Sequence, residues 1–400
     1  MSATDWPTKP LGELFLVGAG KTMSAAGRSG DNKVPFLRTS NVLWDEIDLS
    51  EVDKMAIPEH ELAAKLVEPG DLLVCEGGEI GRAAIWEGGP TPMSFQNHLH
   101  RLRPATDDVD PRFYVYFLQS AFTQLGIFEG AGNKTTIPNL SSGRLKALEV
   151  PHPPFREQVA IADALRHVQQ ARRLNESLIA TTEELKAAAM QRLFSQGLRG
   201  EAQKETEIGL IPDSWTVGPL GELAQFQRGF DITKRSQAEN GTIPVVSSGG
   251  VRSFHDIAAA SGPGVIIGRK GSIGTVHYVE SDYWPHDTTL WSKDFLGNVP
   301  RFVFYRLQLV DMKRLDSGAA NPALNRNFLH AEVISWPDVE TQQEIVVVLD
   351  ALDCKIDLHR RKRAVLDQLF KSLLHKLMTG EISVRDLDLS ALPASDGSAA

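Results

Sequence analysis

Gly20-Lys21-Thr22 has the residue types of a phosphate site: a glycine that lets phosphate approach the backbone, a lysine to pair with it and a hydroxyl for magnesium. A G-x-x-x-x-G-K-[ST] loop also needs a glycine where Phe15 stands, so ATP binding is not expected. Phe128-Glu129-Gly130-Ala131-Gly132 imitates the F-x-G-x-G loop of methyltransferases, but it follows a helical stretch instead of a strand and reads as a turn. The N-P-P-[YF] tetrapeptide that holds a flipped base is absent; Asn321-Pro322-Ala323-Leu324 comes nearest and lacks the aromatic residue. His98 and His100, and separately His277 and His286, have no consistent carboxylate or cysteine partners, so they are expected in packing or on the surface and not around a metal. No paired-carboxylate-plus-lysine nuclease pattern stands in a strand context. The residues therefore predict no catalytic group, metal or cofactor in this chain.

The elements that position these residues come in two copies. Trp6 and Pro10-Leu11-Gly12-Glu13-Leu14 recur as Trp215 and Pro219-Leu220-Gly221-Glu222-Leu223 at a spacing of 209, shared by Gly20/Gly229, Pro35/Pro244 and Val42/Val251. The spacing falls to 193 at Gly78-Glu79-Ile80-Gly81 against Gly271-Ser272-Ile273-Gly274, and to 189 at Pro111-Arg112-Phe113 against Pro300-Arg301-Phe302. From Leu140/Leu324 onward it is constant at 184, through Pro153/Pro337, Gln158/Gln342, Leu165/Leu349 and Leu193/Leu377. Loops absorb insertions, whereas one residue added to a helix turns everything beyond it by about 100°. The first part of each copy is therefore loop-rich and the second part helical.

Short β-branched runs at Lys33–Asn41, Asp71–Glu76 and Leu99–Leu102, with counterparts at Thr242–Ser247 and Gly264–Gly268, predict short strands. Pro111–Leu125 and Pro300–Leu315 predict one helix in each copy, and Gly78, Gly81, Gly271 and Gly274 predict turns. After Pro153-Pro154 no proline or glycine occurs before Gly197, and a second such run extends from Val339 to Met378 with Gly380 beyond it. Each helix would be roughly 60 Å long, too long to bury its stripe on one small domain, so the two stripes are expected to pack on each other. The expected seam is Ile161, Leu165, Val168, Leu178 and Leu185 on the first helix and Ile345, Leu349, Leu352, Ile356 and Leu369 on the second, with Leu174 in the first stripe and Leu358 as its partner at the 184 spacing.

Composition fits this organisation. A hydrophobic fraction of 42% and a charged fraction of 23% are those of a folded globular chain. Cys75 and Cys354 are too few and too far apart for a disulfide framework or thiolate zinc, and no apolar run nears the length of a membrane span; a cytoplasmic location is expected. The net charge of −9 disfavours a whole-surface nucleic-acid binder and confines any DNA contact to local basic patches.

The order of strand-rich domain, helix, strand-rich domain and helix, with Pro151-His152-Pro153-Pro154-Phe155-Arg156-Glu157-Gln158 leading into Ile161 and Leu165, resembles the specificity subunits of type I restriction-modification systems over nearly the whole chain. The second copy departs from that signature: Trp336-Pro337-Asp338-Val339-Glu340-Thr341-Gln342 has one proline, and Thr341 stands where the first copy has Glu157. The resemblance implies an α+β architecture of two tandem α/β target recognition domains, built from short strands plus helices and separated by two long helices in an antiparallel coiled coil. It assigns residues 1–154 and 214–337 to the recognition domains, 155–198 and 338–382 to the helices, 199–213 to a polar linker and 383–400 to a flexible tail. It further implies that each domain reads one half of a split, asymmetric site in double-stranded DNA, with readers about one helical turn, roughly 34 Å, apart. Implied partners are two methyltransferase (modification) subunits and ATP-dependent translocase/nuclease (restriction) subunits. S-adenosylmethionine, ATP and magnesium would reside on those partners, and no membrane is involved.

Arginine pairs bidentately with guanine and asparagine with adenine in the major groove, so loop Arg, Lys, Asn and hydroxyl residues are the candidate contacts. In the first domain these are Lys21, Arg38, Thr39, Asn41, Arg82, Lys134 and Thr135; in the second, Arg228, Lys234, Arg235, Ser247, Ser248, Arg269, Lys270 and Arg326. Arg38/Ser247 and Thr39/Ser248 share the 209 spacing but differ in chemistry, as two readers of different half-sites would.

Overall fold

The computed structural model describes residues 6–89, 92–126, 140–232, 241–315, 322–390 and 392. Two compact units emerge, Met1–Glu176 with Arg361–Ala400, and Ser177–Arg360. Each joins one strand-rich domain to one end of both long helices.

The first unit is built on a four-stranded antiparallel sheet in the order Phe15–Ala19, Leu99–Pro104, Leu72–Cys75 and Ala83–Ile85. The strand Leu72–Cys75 is buried on both faces. Its period of two sends Leu72 and Val74 into the cluster containing the helix Pro111–Thr123, and Leu73 and Cys75 into a second cluster with Trp86 and Phe95. A smaller sheet pairs Lys33–Leu37 antiparallel with Asp53–Ala56 and parallel with Ser94–Phe95. Asp110 caps the helix by accepting from Arg112 N–H at 3.0 Å, and Pro111 occupies the first turn, where no N–H is needed.

The second unit repeats this topology. Its large sheet runs Gln225–Arg228, Thr289–Asp294, Gly264–Gly268 and Val276–Val279, and its small sheet pairs Ile243–Ser247 with Gly250–His255 and Trp284–Pro285. The α-helix expected over Pro300–Leu315 stops at Leu307; Asp311 then accepts from Lys313 N–H and starts a separate 3₁₀ turn, Met312–Leu315. Gly78, Gly81, Gly271 and Gly274 have φ of 75°, 81°, 74° and 79°, as the turns require. Gly20 and Gly229 are fixed differently: a Cβ would lie 2.2 Å from the Gln96 carbonyl oxygen in one and 2.1 Å from that of His286 in the other.

The shrinking repeat spacing has a structural cause. Val34 pairs with Met55 and Ile243 with His255, so the spacing of 209 has already fallen to 200 at these strands. The first domain spends the difference on the hairpin of Val42–Leu43 with Glu46–Ile47, and the further fall to 193 on the helix Glu59–Lys65.

Both long helices are continuous, Phe155–Gln196 and Val339–Met378. Gln158 and Gln342, each fully buried, tie them to their domains in the same way. Gln158 Oε1 accepts from Asp110 N–H at 2.9 Å while its Nε2 donates to the Asp108 and Pro153 carbonyls at 3.0 and 2.8 Å. Gln342 Oε1 accepts from Val299 N–H at 2.9 Å, and its Nε2 donates to Pro337 O and Asn298 Oδ1 at 2.9 and 2.7 Å. The absence of a second proline and of glutamate in the second copy leaves this staple intact.

In the first unit the two helix segments are antiparallel: Arg172 meets Asp367 at 2.6 Å and Glu176 meets Arg363 at 2.6 Å. Ile161, Leu165 and Val168 are buried there with Phe370, Leu373 and Leu377, and Leu369 packs partly buried against them. In the second unit Glu183 meets Arg360 at 2.6 Å and Lys186 meets Asp353 at 2.5 Å, with Ile345 and Leu349 buried beside Met190 and Phe194 and Leu352 partly buried. Ile356 is buried as well.

Leu178 and Leu185 correct the expected seam, being 40% and 56% exposed; Leu174 and Leu358 are exposed too. The covered positions of the first helix instead alternate by four and three through Ile161, Leu165, Val168, Arg172, Asn175, Ile179, Thr182, Lys186, Ala189 and Leu193. Four of these ten positions, Arg172, Asn175, Thr182 and Lys186 in the middle of the helix, are polar, so a stripe drawn through leucines drifts off the register onto the outer face.

Two further expectations change. The polar linker contains a hairpin, Gln203–Thr206 with Gly209–Pro212, whose Ile211 joins the second unit's core. The start of the expected flexible tail packs down: Val384, Leu387, Leu389 and Leu392 lie against the first unit's core, because apolar residues recur there among the polar ones.

Candidate nucleic-acid interface

An arginine and a tyrosine on each domain's own helix, at a repeat spacing of 189, anchor it toward the long helices, directly in the second unit and through the inserted hairpin in the first. In the second unit Arg301 Nε approaches Asp350 at 2.7 Å, and Tyr305 O–H lies 2.6 Å from both Asp350 and Asp353. In the first unit Arg112 and Tyr116 hold Asp45 at 3.1 and 2.6 Å, on the inserted hairpin. Gln169 and Arg173 of the long helix donate to the carbonyls of Trp44 and of Trp44 and Asp45. The loops at the far end of each sheet thus stand on a fixed base.

In the first domain those loops are held largely by their own polar residues. Lys21 Nζ pairs with Glu61 at 2.5 Å, and Arg38 Nε with Asp53 at 3.2 Å in a half-exposed pair. Asn41 is 4% exposed, with Oδ1 accepting from Arg38 N–H and Nδ2 donating to the carbonyls of Asp48 and Glu51; it shapes the loop and offers nothing to a base. Arg82 is likewise turned inward, donating to Thr39 O at 2.8 Å and pairing with Glu79 at 2.8 Å. Its counterpart Thr275 donates to Ser248 O, the counterpart of Thr39 O, so this contact belongs to the scaffold in both copies. Thr39 remains in the loop through its backbone. Lys134 and Thr135, and in the second domain Lys234 and Arg235, lie outside the described residues, as do the expected turn at Phe128–Gly132 and Asn321.

The second domain brings three nominated arginines together. Arg228, Arg269 and Arg326 line one cleft of about 290 Å³ with Asn325, over a floor of Leu290 and Leu324. Arg228 ends its strand and pairs with Asp287 at 2.9 Å; Arg326 opens the helix Arg326–Ala331, which Asn325 caps. Arg269 follows the strand Gly264–Gly268, its N–H donating to Thr288 O at 2.8 Å and its carbonyl accepting from Leu324 N–H at 2.9 Å. Lys270 is exposed beside it. Ser247 Oγ donates to Gly250 O and Ser248 N–H to Thr288 Oγ1, so these two are partly committed to the turn. His330, on the helix that Arg326 opens, accepts from Phe226 N–H at 2.9 Å; burial and the nearby Arg326 hold it below its ordinary value. Asp287, which orients Arg228, was not expected from sequence, and a carboxylate in a loop carries no signal of that role.

Among the described residues no group of His, Cys, Asp and Glu could hold a metal, and no helix is long and apolar enough to cross a membrane. The sequence profile of the type I restriction modification DNA specificity domain matches residues 3–184 and 212–368. A Methanocaldococcus jannaschii protein provisionally assigned as the MjaX type I restriction enzyme specificity subunit is 24% identical over 405 residues, covering 95% of this chain and 94% of that protein. The MjaVIII specificity subunit of the same organism is 23% identical over 79% of this chain and 80% of its own length. The crystal structure of a type I restriction-modification S subunit from M. genitalium superposes with a TM-score of 0.64 at 18% identity, covering 94% of this chain and 98% of that one. A chain from a structural study of assembly and conformational transition in the type I R-M system gives 0.58 at 16% identity, over 96% and 100% of the two chains.

Proposed function

Because the chain belongs to the type I restriction-modification DNA specificity family, we propose that it is the subunit that tells a methyltransferase and restriction complex where to act, contributing recognition and no chemistry. Each strand-rich domain reads one half of a split, asymmetric duplex site, and the paired helices set the gap between the halves. The observation that carries this reading is the repetition of one sheet topology with different side chains at matching loop positions, as at Arg269/Glu76 and Arg326/Ser142. A conserved frame with exchanged tips is what reading two different sequences requires.

The helices also serve as the dock for two methyltransferase subunits. In the second unit Leu178 and Leu185 on one helix and Val347 and Leu358 on the other are 40%, 56%, 69% and 62% exposed, at spacings that keep each pair on one helix face. S-adenosylmethionine, ATP and magnesium are assigned to the modification and restriction subunits, and the assembly works on DNA in the cytoplasm. The test is methylome sequencing of cells carrying this chain with its modification subunits against cells lacking only this chain. A split asymmetric motif that vanishes with the chain is expected; a methylation pattern independent of it would overturn the reading.

A further inference from the structure

We infer that the arginine cleft of the second domain is a guanine-reading seat, with Arg269 as the residue that takes the base edge in the major groove. This rests on the proposal that the chain reads duplex DNA. Three guanidinium groups line the cleft and, among the described residues, no carboxylate does; the neighbouring Asp287 is paired with Arg228. Arg269 Nη1 is buried and has no hydrogen-bond partner among the described residues. A buried donor left unmatched costs far more than a satisfied one gains, so an acceptor brought by a ligand would be strongly favoured at this group. The backbone of Arg269 is pinned on both sides, by Thr288 O and Leu324 N–H, which fixes where the guanidinium fork starts. Leu290 and Leu324, 1% and 0% exposed, make an apolar floor that strengthens any charge-assisted hydrogen bond made above it.

Guanine presents two adjacent acceptors, N7 and O6, to the major groove, and their spacing suits the two parallel N–H groups of one arginine. Phosphate also attracts guanidinium, and the exposed Arg228 and Arg326 at the rim suit that role, placing the duplex while Arg269 reads it. The repeat makes the seat one-sided: the positions of Arg228, Arg269 and Arg326 are Ala19, Glu76 and Ser142 in the first domain. The guanine in question therefore belongs to the half-site read by the second domain.

The deciding experiment is methylome sequencing of the whole modification complex carrying wild-type chain or R269K. Lysine keeps the charge and loses the bidentate fork. The expected result is an unchanged first half-site and gap, with one guanine of the second half-site relaxed by on the order of ten- to a hundredfold in discrimination. An R269K motif identical to wild type would overturn the proposal, because a phosphate contact tolerates lysine. If R269K abolishes methylation, thermal melting of the purified chain decides: a folded variant without site recognition supports the fork requirement, and an unfolded one makes Arg269 structural and overturns it. Absence of any split motif in the wild type would instead be a failure of the underlying reading.

Discussion

Replacing Gln158 with alanine should destabilise the first unit and leave the second untouched. The side chain is fully buried and makes three hydrogen bonds, to Asp110 N–H and to the carbonyls of Asp108 and Pro153. Truncation leaves the Pro153 carbonyl buried without this partner, at about 1–3 kcal/mol, and strips the part-buried Asp110 N–H and Asp108 carbonyl of theirs, each at a smaller cost because water can reach them. A loss of about 2–4 kcal/mol follows, which at a urea dependence of about 2 kcal/mol per molar moves the midpoint down by about 1–2 M. Urea unfolding of the purified chain, followed by tryptophan fluorescence and circular dichroism, reads this directly. Q158E should fare no better, since a carboxylate can accept from Asp110 but cannot donate to the two carbonyls. Q342A should lower the second unit's transition by a comparable amount, and the double variant should show both losses added. A Q158A midpoint within about 0.2 M of wild type would refute the staple and, with it, the explanation of why glutamine stands at both positions.

Gly20→Ala and Gly229→Ala should each cost about 3 kcal/mol or more in thermal melting, because the new methyl group would sit 2.2 or 2.1 Å from a backbone carbonyl. L185A should alter stability by less than about 0.5 kcal/mol, whereas L165A should cost about 2–5 kcal/mol; the double substitution L178S/L185S should instead lower co-purification of the methyltransferase subunit. His330 lies below its ordinary value of 6.5 in the folded chain, so its contribution is fully present above that pH and is lost as the pH falls from 6.5 toward the folded value. H330Q should flatten that part of the stability profile, measured by urea unfolding between pH 5 and 7.5. Inserting four residues near Ala187 should lengthen the recognised gap and leave both half-sites unchanged, as read from the methylome of the variant.

The repeat, the two helices and their mutual packing were legible because insertions gather in loops while helix register must be kept, so the 184 spacing runs unbroken from Leu140 to Leu377. The seam was half legible. Its apolar ends, Ile161 to Val168 and Ile345 to Leu352, follow from hydrophobic period, but Arg172, Asn175, Thr182 and Lys186 hold covered positions by virtue of partners that period cannot reveal. Loop polar residues were least legible. Asn41 and Arg82 satisfy nearby backbone, and Arg228, Arg269 and Arg326 converge from distant stretches of chain; both kinds look alike until the fold is known.

The first unit is discontinuous, Met1–Glu176 with Arg361–Ala400, whereas the second is one uninterrupted stretch. On the ribosome this reverses the expected order of events. The N-terminal domain emerges first, yet its core includes Phe370, Leu373, Leu374, Leu377 and Met378, so it waits with an open apolar flank until the stretch through Met378 has been made. Synthesis at about 5–20 residues per second makes that wait roughly ten to forty seconds, long enough for a chaperone to engage the flank. The domain that is synthesised second can complete its core first, and any truncation near the C-terminus injures the domain at the other end of the sequence.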